Sequence, residues 1–284
     1  MWTTLVTVIR KINRDRELDV FLAGIRKNGI RVVEIDPEQI YRLLGTKKPG
    51  QPFLHEESLV LTDVPKAAEE AKKSGIAVLG LERGNGLHIR HADYVLQGLE
   101  GIQTEYLRMV YQRFHKEPLV IAQTERLCIR ELVCEDADNF WQLYREAGLQ
   151  LTGIPKCSER AEQEQFLKAY MDCQYRFYGY GYWALVDRIS GKWIGIAGAE
   201  DREREGEYYL ELGYAVIPEK RRQGYAREAC LAVMRFLKEE SEQEKIIKCF
   251  VPRGNIASQR TAQSIGMLQT EDIFDEFYCY QRML

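Results

Sequence analysis

The chain has 284 residues, 45% of them hydrophobic, and a formal net charge of −3 at pH 7, a length that predicts two domains or one large one. The near-neutral balance excludes a general affinity for nucleic acid, and no apolar run reaches membrane-spanning length. All seven cysteines fall between Cys128 and Cys279 with no C-x-x-C pair, a pattern of reduced, mostly buried thiols in a cytosolic protein rather than a disulfide frame or a zinc site.

Residues 1–9 are apolar but lack the basic leader and small-residue cleavage site of a secretion signal. Residues 3–9 read as a short buried strand or as a helix. Leu18, Phe21, Leu22 and Ile25 form a helical stripe that Asn28 and Gly29 end. A strand is predicted over 30–35, a short helix over 37–44 and a loop over 45–52. Next come a strand over 58–62, a helix over 64–73 stopped by Ser74 and Gly75, strands over 76–81 and 92–96, and a helix over 101–115. Strands alternating with helices imply a parallel sheet with helices on its faces. All four histidines, His55, His88, His91 and His115, lie in this half. His88 and His91 are spaced to share a helix face, but a metal needs more ligands than two imidazoles.

The stretch L-V-L-T-D-V-P-K-A-A-E-E-A-K-K-S-G-I-A-V-L-G, followed by A-D-Y-V-L-Q-G-L and preceded by K-K-P-G-Q-P-F, resembles the C-terminal half of a haloacid-dehalogenase-like (HAD-like) hydrolase. Lys48 and Asp63 match that family's pattern. The aspartate nucleophile of a D-x-D motif does not: residues 1–115 contain no D-x-D, and Arg10 and Lys11 follow the first predicted strand. Asp36 stands where a phosphate-binding hydroxyl is expected, and a carboxylate there repels phosphate. Without a nucleophile no covalent phosphoryl intermediate forms. The resemblance therefore implies a degenerate, capless Rossmann-like domain over residues 1–118 without hydrolase activity. Structural support, or an interface for self-association, is its expected role.

Residues 116–123, with Pro118, read as a linker. Leu127, Ile129 and Leu132 follow in a strand-like run, and Glu135 and Asp136 suit the start of a helix near Ala137. A helix is predicted over 159–170, then strands over 182–186 and 193–199 joined by a turn. The charges of 201–206 read as a solvated hairpin turn. Aromatic and β-branched residues make 208–217 a strand, which Pro218 stops. A basic turn over 219–226 leads into a helix marked by Ala229, Val233, Phe236 and Leu237. Residues 246–251 read as a strand and 274–280 as a last one.

Strand, glycine-bearing turn and helix N-terminus together form an anion site, because the first helical turn has unpaired N–H groups and a favourable dipole. Gly224 lets the backbone approach a ligand closely, Ala226 is small for the same purpose, and Arg221 and Arg222 add positive charge. The expected guest is a diphosphate. Neither G-x-x-x-x-G-K-[ST] nor G-x-G-x-x-G is present. The string R-x-x-G-x-A after E-L-G-Y-A-V-I-P, and N-I-A-S-Q-R-T-A-Q-S-I-G-M at 255–267, resemble the cofactor motifs of the GNAT N-acetyltransferases. T-E-R-L-C-I-R-E-L-V-C-E-D-A-D, G-Y-G-Y-W-A-L-V-D and W-I-G-I-A-G-A-E resemble their ribosomal-protein-acetylating branch.

This resemblance covers roughly residues 124–284 and implies a mixed-sheet acyl-CoA N-acyltransferase domain over 119–284, giving a two-domain α/β chain. It implies acetyl-CoA as co-substrate, no metal, and an amine acceptor that is a protein N-terminus or a small molecule. The pantetheine arm is expected against the backbone of Tyr214, Ala215 and Val216, with an amide of Ala215 or Val216 polarising the thioester oxygen. The diphosphate is expected on the turn of Arg221, Arg222, Gln223, Gly224, Tyr225, Ala226 and Arg227. Asn255 is expected to bond the pantetheine or adjacent backbone. A base must deprotonate the amine: Glu211 is the first candidate, Glu200 and Glu271 are alternatives, and support of a neighbouring strand is the other reading of Glu211. Ser258 resembles the serine used as acid in that branch, though a serine there also suits a helix cap. The tyrosine that many relatives carry seven residues after the asparagine is here Ala262. Tyr178, Tyr180, Tyr182 and Trp183 read as acceptor-pocket lining or as core.

Overall fold

Strands buried on both faces need continuous apolar runs, and two such runs, Ser58–Thr62 and Ala77–Leu81, are buried along their whole length. The computed structural model describes residues 2–39, 57–84, 86, 88–147, 157–241, 243–274 and 276–284. The chain divides into two units, Met1–Glu117 and Pro118–Leu284.

In the first unit β1 (Thr4–Val8), β2 (Arg31–Glu34), β3 (Ser58–Thr62), β4 (Ala77–Leu81) and β5 (Tyr94–Leu96) form a parallel sheet in the order β2-β1-β3-β4-β5. Residues 3–9 thus form the strand, not the helix. Helices α1 (Arg16–Lys27) and α3 (Thr104–Phe114) cover one face through Leu18, Phe21, Leu22, Ile25, Leu107 and Val110. Helix α2 (Pro65–Lys73) covers the other through Ala67, Ala68 and Ala71. This 2-1-3-4-5 order is that of many doubly wound sheets, whose ligand crevice lies where the order reverses, here between β1 and β3. Arg10 and Asp63 meet at that place: the Arg10 backbone N–H and Nε donate to the two Asp63 carboxylate oxygens at 2.9 and 3.1 Å. His88 and His91 share no helix; both lie in irregular chain between β4 and β5. Of the predicted 37–44 helix only 37–39 are described, as a turn. The 45–52 loop, Lys48 and His55 lie outside the described residues.

The second unit is built on an eight-stranded sheet of order β12-β13-β11-β10-β9-β8-β7-β6. Its strands are β6 (Val120–Gln123), β7 (Leu127–Arg130), β8 (Tyr182–Asp187), β9 (Trp193–Arg204), β10 (Glu207–Val216), β11 (Ile246–Pro252), β12 (Leu268–Phe274) and β13 (Phe277–Met283). Every pairing is antiparallel except β10 with β11. Helices α4 (Ala137–Ala147) and α5 (Arg160–Tyr170) pack on one face with Tyr182, Ala184, Ile196 and Ala215. Helix α6 (Tyr225–Glu239) packs on the other with Leu210, Leu212 and Val216, and Ala262 of α7 (Ile256–Ser264) joins the same core.

Three expectations are corrected and one element is added. The linker's second half is β6, because Val120, Ala122 and Gln123 pair with β7 despite Pro118. Residues 201–204 are strand rather than turn; the reversal needs only Glu205 and Gly206, both at positive φ (54° and 84°), the two-residue hairpin geometry. Residues 274–280 are no single strand: β12 ends at Phe274, and the last strand, β13, runs from Phe277 to Met283. After α5 the chain widens into a π-helix, Met171–Tyr175, that the periodicity does not announce.

Candidate active site

The central feature is a sheet that opens. Strands β10 and β11 pair only at Leu210 with Ile247 and Glu211 with Lys248. Beyond Glu211 the two strands run without a shared ladder. Ile217 N–H donates to Ile194 O at 2.9 Å, and strand alternation follows from that bond. Ala215 turns its N–H and C=O toward β9, while Tyr214 and Val216 turn theirs toward β11. Arg221 Nε already serves the Val216 carbonyl at 2.9 Å. Of the two oxyanion amides expected, geometry leaves Val216 facing the opening.

At the end of β10 the chain makes a short 3-10 turn, Pro218–Lys220, and then curls twice into the left-handed region, at Arg222 (φ 60°) and Gly224 (φ 84°). A side-chain-bearing residue in that region stores strain of about 1–3 kcal/mol and tends to sit at ligand clamps. Gly224 is the N-cap of α6 and supplies no side-chain cap. The first amides of a long, well-packed helix are therefore not closed off by their own N-cap residue. A Cβ on Gly224 meets, among the described residues, Arg126 Nη2 at 3.4 Å, so the left-handed conformation, not protein crowding, calls for glycine here. Arg221, Arg222, Gln223 and Arg227 are exposed, Ala226 is half-buried and Tyr225 is buried. Gln223 Nε2 donates to Glu219 O at 2.8 Å, and Arg227 Nε reaches Ser264 O at 3.4 Å.

Asp187, at the end of β8, anchors the turn from below. It accepts from Ser190 N–H and Oγ at 2.8 and 2.9 Å, from Lys220 Nζ at 3.2 Å and from Tyr225 Oη at 3.1 Å. Those bonds, the Ser190 ones foremost, hold its carboxyl well below the usual range.

Glu211 is buried, 5% exposed, and meets Arg202 Nε at 3.3 Å; the same guanidinium holds the equally buried Glu200 through Nη2. The two sequence candidates are thus brought together on the α4–α5 face, bridged by a residue assigned to a solvated turn. Glu271 is exposed on β12. Lys248, registered beside Glu211, pairs with Glu207 at 2.6 Å.

Asn255 caps α7, its Oδ1 accepting from Ser258 N–H at 3.1 Å, so the capping role weighed for Ser258 belongs to Asn255. The Ser258 carbonyl accepts from Tyr214 Oη at 3.1 Å, a bridge from β10 to α7. Burial pushes the Tyr214 phenol well up, against the opposing hydrogen bonds of the Ser258 and Thr261 side chains. Ala262 is fully buried, so the absent tyrosine has no room at that position. Trp183 and Tyr182 are core, while Tyr178 is 54% exposed. Among the described residues no group of three or more metal-ligating side chains occurs, and no helix is long and apolar enough to cross a membrane.

Comparison with known proteins matches residues 126–268 to the family described as "Acetyltransferase (GNAT) domain". The uncharacterized protein YkkB of Bacillus subtilis (strain 168) is 31% identical over 96 residues, which are 34% of this chain and 55% of that relative. The chain thus spans little more than half the length of the relative it matches. Among solved structures, an acetyltransferase from Agrobacterium tumefaciens is 21% identical, with TM-score 0.47, over 57% of this chain and 92% of that one. A GNAT-family acetyltransferase from Bacillus anthracis is 19% identical, with TM-score 0.46, over 57% and 96%.

Proposed function

Because this chain belongs to the GNAT acetyltransferase family, whose chemistry uses acetyl-CoA, we propose that it moves acetyl onto a primary amine by direct attack in a ternary complex. The acceptor is a protein N-terminus or a small amine. One observation carries the placement of the cofactor: the stretch of β10 that has parted from β11 leads, through one turn, into an α6 N-terminus without a side-chain cap. The diphosphate then meets the amides of Arg222, Gln223, Gly224, Tyr225, Ala226 and Arg227, and the pantetheine arm runs along Tyr214 and Val216.

In the reaction the amine nitrogen attacks the thioester carbonyl, the C–N bond forms and the C–S bond breaks. The Val216 N–H faces the oxygen that gains charge, the role of an oxyanion donor. The amine's proton passes to a base, directly or through water, and the thiolate takes up a proton as it leaves. Glu211 is the proposed base, with Glu200 as its partner across Arg202, and Ser258 the proposed acid.

The expected Glu211→Gln outcome is a fall in kcat of about 10²–10⁴-fold with acetyl-CoA KM unchanged. Acetyl-CoA turnover by the full chain against a panel of amines and N-terminal peptides tests this, with Gly224→Asp as the binding control. Binding without turnover across a broad panel would favour a regulatory coenzyme A module instead. For the first unit we infer a HAD-like fold without hydrolase activity. The strand order supports it, and so does Arg10, which follows β1 and occupies Asp63.

A further inference from the structure

Arg126 belongs to no cofactor motif, yet it grips the cofactor turn from several sides. Its Nη1 donates to the Gln223 carbonyl at 2.8 Å, and its Nε and Nη2 meet Glu228 Oε2 at 2.7 and 2.6 Å. The guanidinium lies 4.2 Å from the centre of the Tyr225 ring. Glu228 Oε1 is taken as well, by the Arg126 backbone N–H at 3.0 Å and by Thr124 Oγ1 at 2.5 Å.

Glu228 sits in the first turn of α6. A carboxylate there is attracted to the same amides and dipole that an anionic ligand would use. In this protein both of its oxygens are drawn away from those amides to residues 124 and 126, and its charge is matched by the guanidinium. The Gln223 carbonyl is also turned to Arg126. In a planar trans peptide the N–H points opposite the C=O, so the Gly224 N–H is turned to the other side, away from Arg126.

We infer that Arg126 is a positioning residue for the cofactor's diphosphate: it withholds the Glu228 carboxylate from the α6 N-terminus and sets the orientation of the Gln223–Gly224 peptide. The inference rests on the diphosphate reading of the turn. Loss of Arg126 frees a carboxylate beside the anion site, so removing that charge as well should repair the defect.

Calorimetric titration of the full chain with coenzyme A tests this. Arg126→Met is expected to weaken binding about tenfold or more, and Arg126→Met with Glu228→Gln to recover to within about threefold of the parent. The ratios should be unchanged with 3′-dephospho-coenzyme A. A Met variant that binds like the parent overturns the inference, as does absence of rescue. Loss confined to the 3′-phosphorylated ligand does so too, because it would place Arg126 on the ribose phosphate. Should Arg126→Met fail to fold, Arg126→Lys alone and with Glu228→Gln is read by the same outcomes, since lysine cannot reproduce the fork. Gly224→Asp separates the two levels. If it leaves coenzyme A binding intact, the diphosphate reading itself fails; if it abolishes binding while Arg126 variants bind normally, only the role of Arg126 falls.

Discussion

Gly224 and Arg222 share a left-handed backbone, and their side chains, or lack of one, separate conformational from electrostatic effects. Gly224→Ala should cost about 1–2 kcal/mol of stability, read as a lower Tm, with a modest loss of coenzyme A affinity. Gly224→Asp tolerates the same φ better but sets a carboxylate against the diphosphate, so titration should show binding lost. Asp187 gives a pH signature. Its folded-state pKa is depressed, first by the Ser190 bonds, so its stabilisation is present above the unfolded carboxylate value and lost as pH falls through the folded one. The Tm advantage of the parent over Asp187→Asn should therefore be full at pH 7 and shrink as pH drops below about 4. Burial pushes the Cys249 thiol up to about 12 and the Cys230 thiol well up too, whereas Cys134 and Cys173 are exposed. Iodoacetamide at pH 8 followed by mass spectrometry should find Cys134 and Cys173 modified and Cys230 and Cys249 spared; labelling of the latter pair in folded protein would contradict the packing. At this scale the sequence showed the turn residues, since Gly224 and its arginines are local chemistry. It did not show Arg202, whose two partners Glu200 and Glu211 are joined only across the β9–β10 pairing, or Arg126, whose partners Gln223 and Glu228 lie 97 and 102 residues away in the chain.

The π-helix shows why one element resists sequence reading. Its widened turn lets Tyr170 and Tyr175, with ring centroids 5.8 Å apart, both reach the start of β8. Tyr170 Oη accepts from the Tyr182 N–H at 2.7 Å, Tyr175 Oη donates to the Tyr182 carbonyl, and Tyr175 Oη also accepts from Leu132 N–H at 3.1 Å. β7 reaches only as far as Ala184, so these phenols replace a missing neighbour strand. Tyr175→Phe should leave two buried backbone groups unpaired and cost about 2–4 kcal/mol, read by denaturant unfolding; a change under about 0.5 kcal/mol would show that the phenol is dispensable. Nothing in a 3.6-residue period announces a single wide turn. By contrast, β3 and α1 were legible because β3 is buried along its whole length and α1 carries a single apolar stripe.

Two units with separate cores should each answer its own assay. Given a phosphate ester and magnesium, the full chain should release no phosphate; clear turnover would mean that the Arg10–Asp63 crevice is live. Alternating strand and helix patterns made the parallel sheet of the first unit readable, and the mixed sheet of the second was expected from its GNAT-like motifs; the role of the first was not readable, because a doubly wound sheet is shared by many activities. The parting of β10 from β11 after two residue pairs has a consequence for the resting protein. In the middle of an eight-stranded sheet the main-chain amides of Tyr214 and Val216 face a side without a ladder, and they are expected to exchange with solvent while it stays empty. A guest lying along that seam would finish the ladder, so deuterium uptake at these amides should slow sharply once the seam is filled, and the protein's melting should become a gauge of how much of it is loaded.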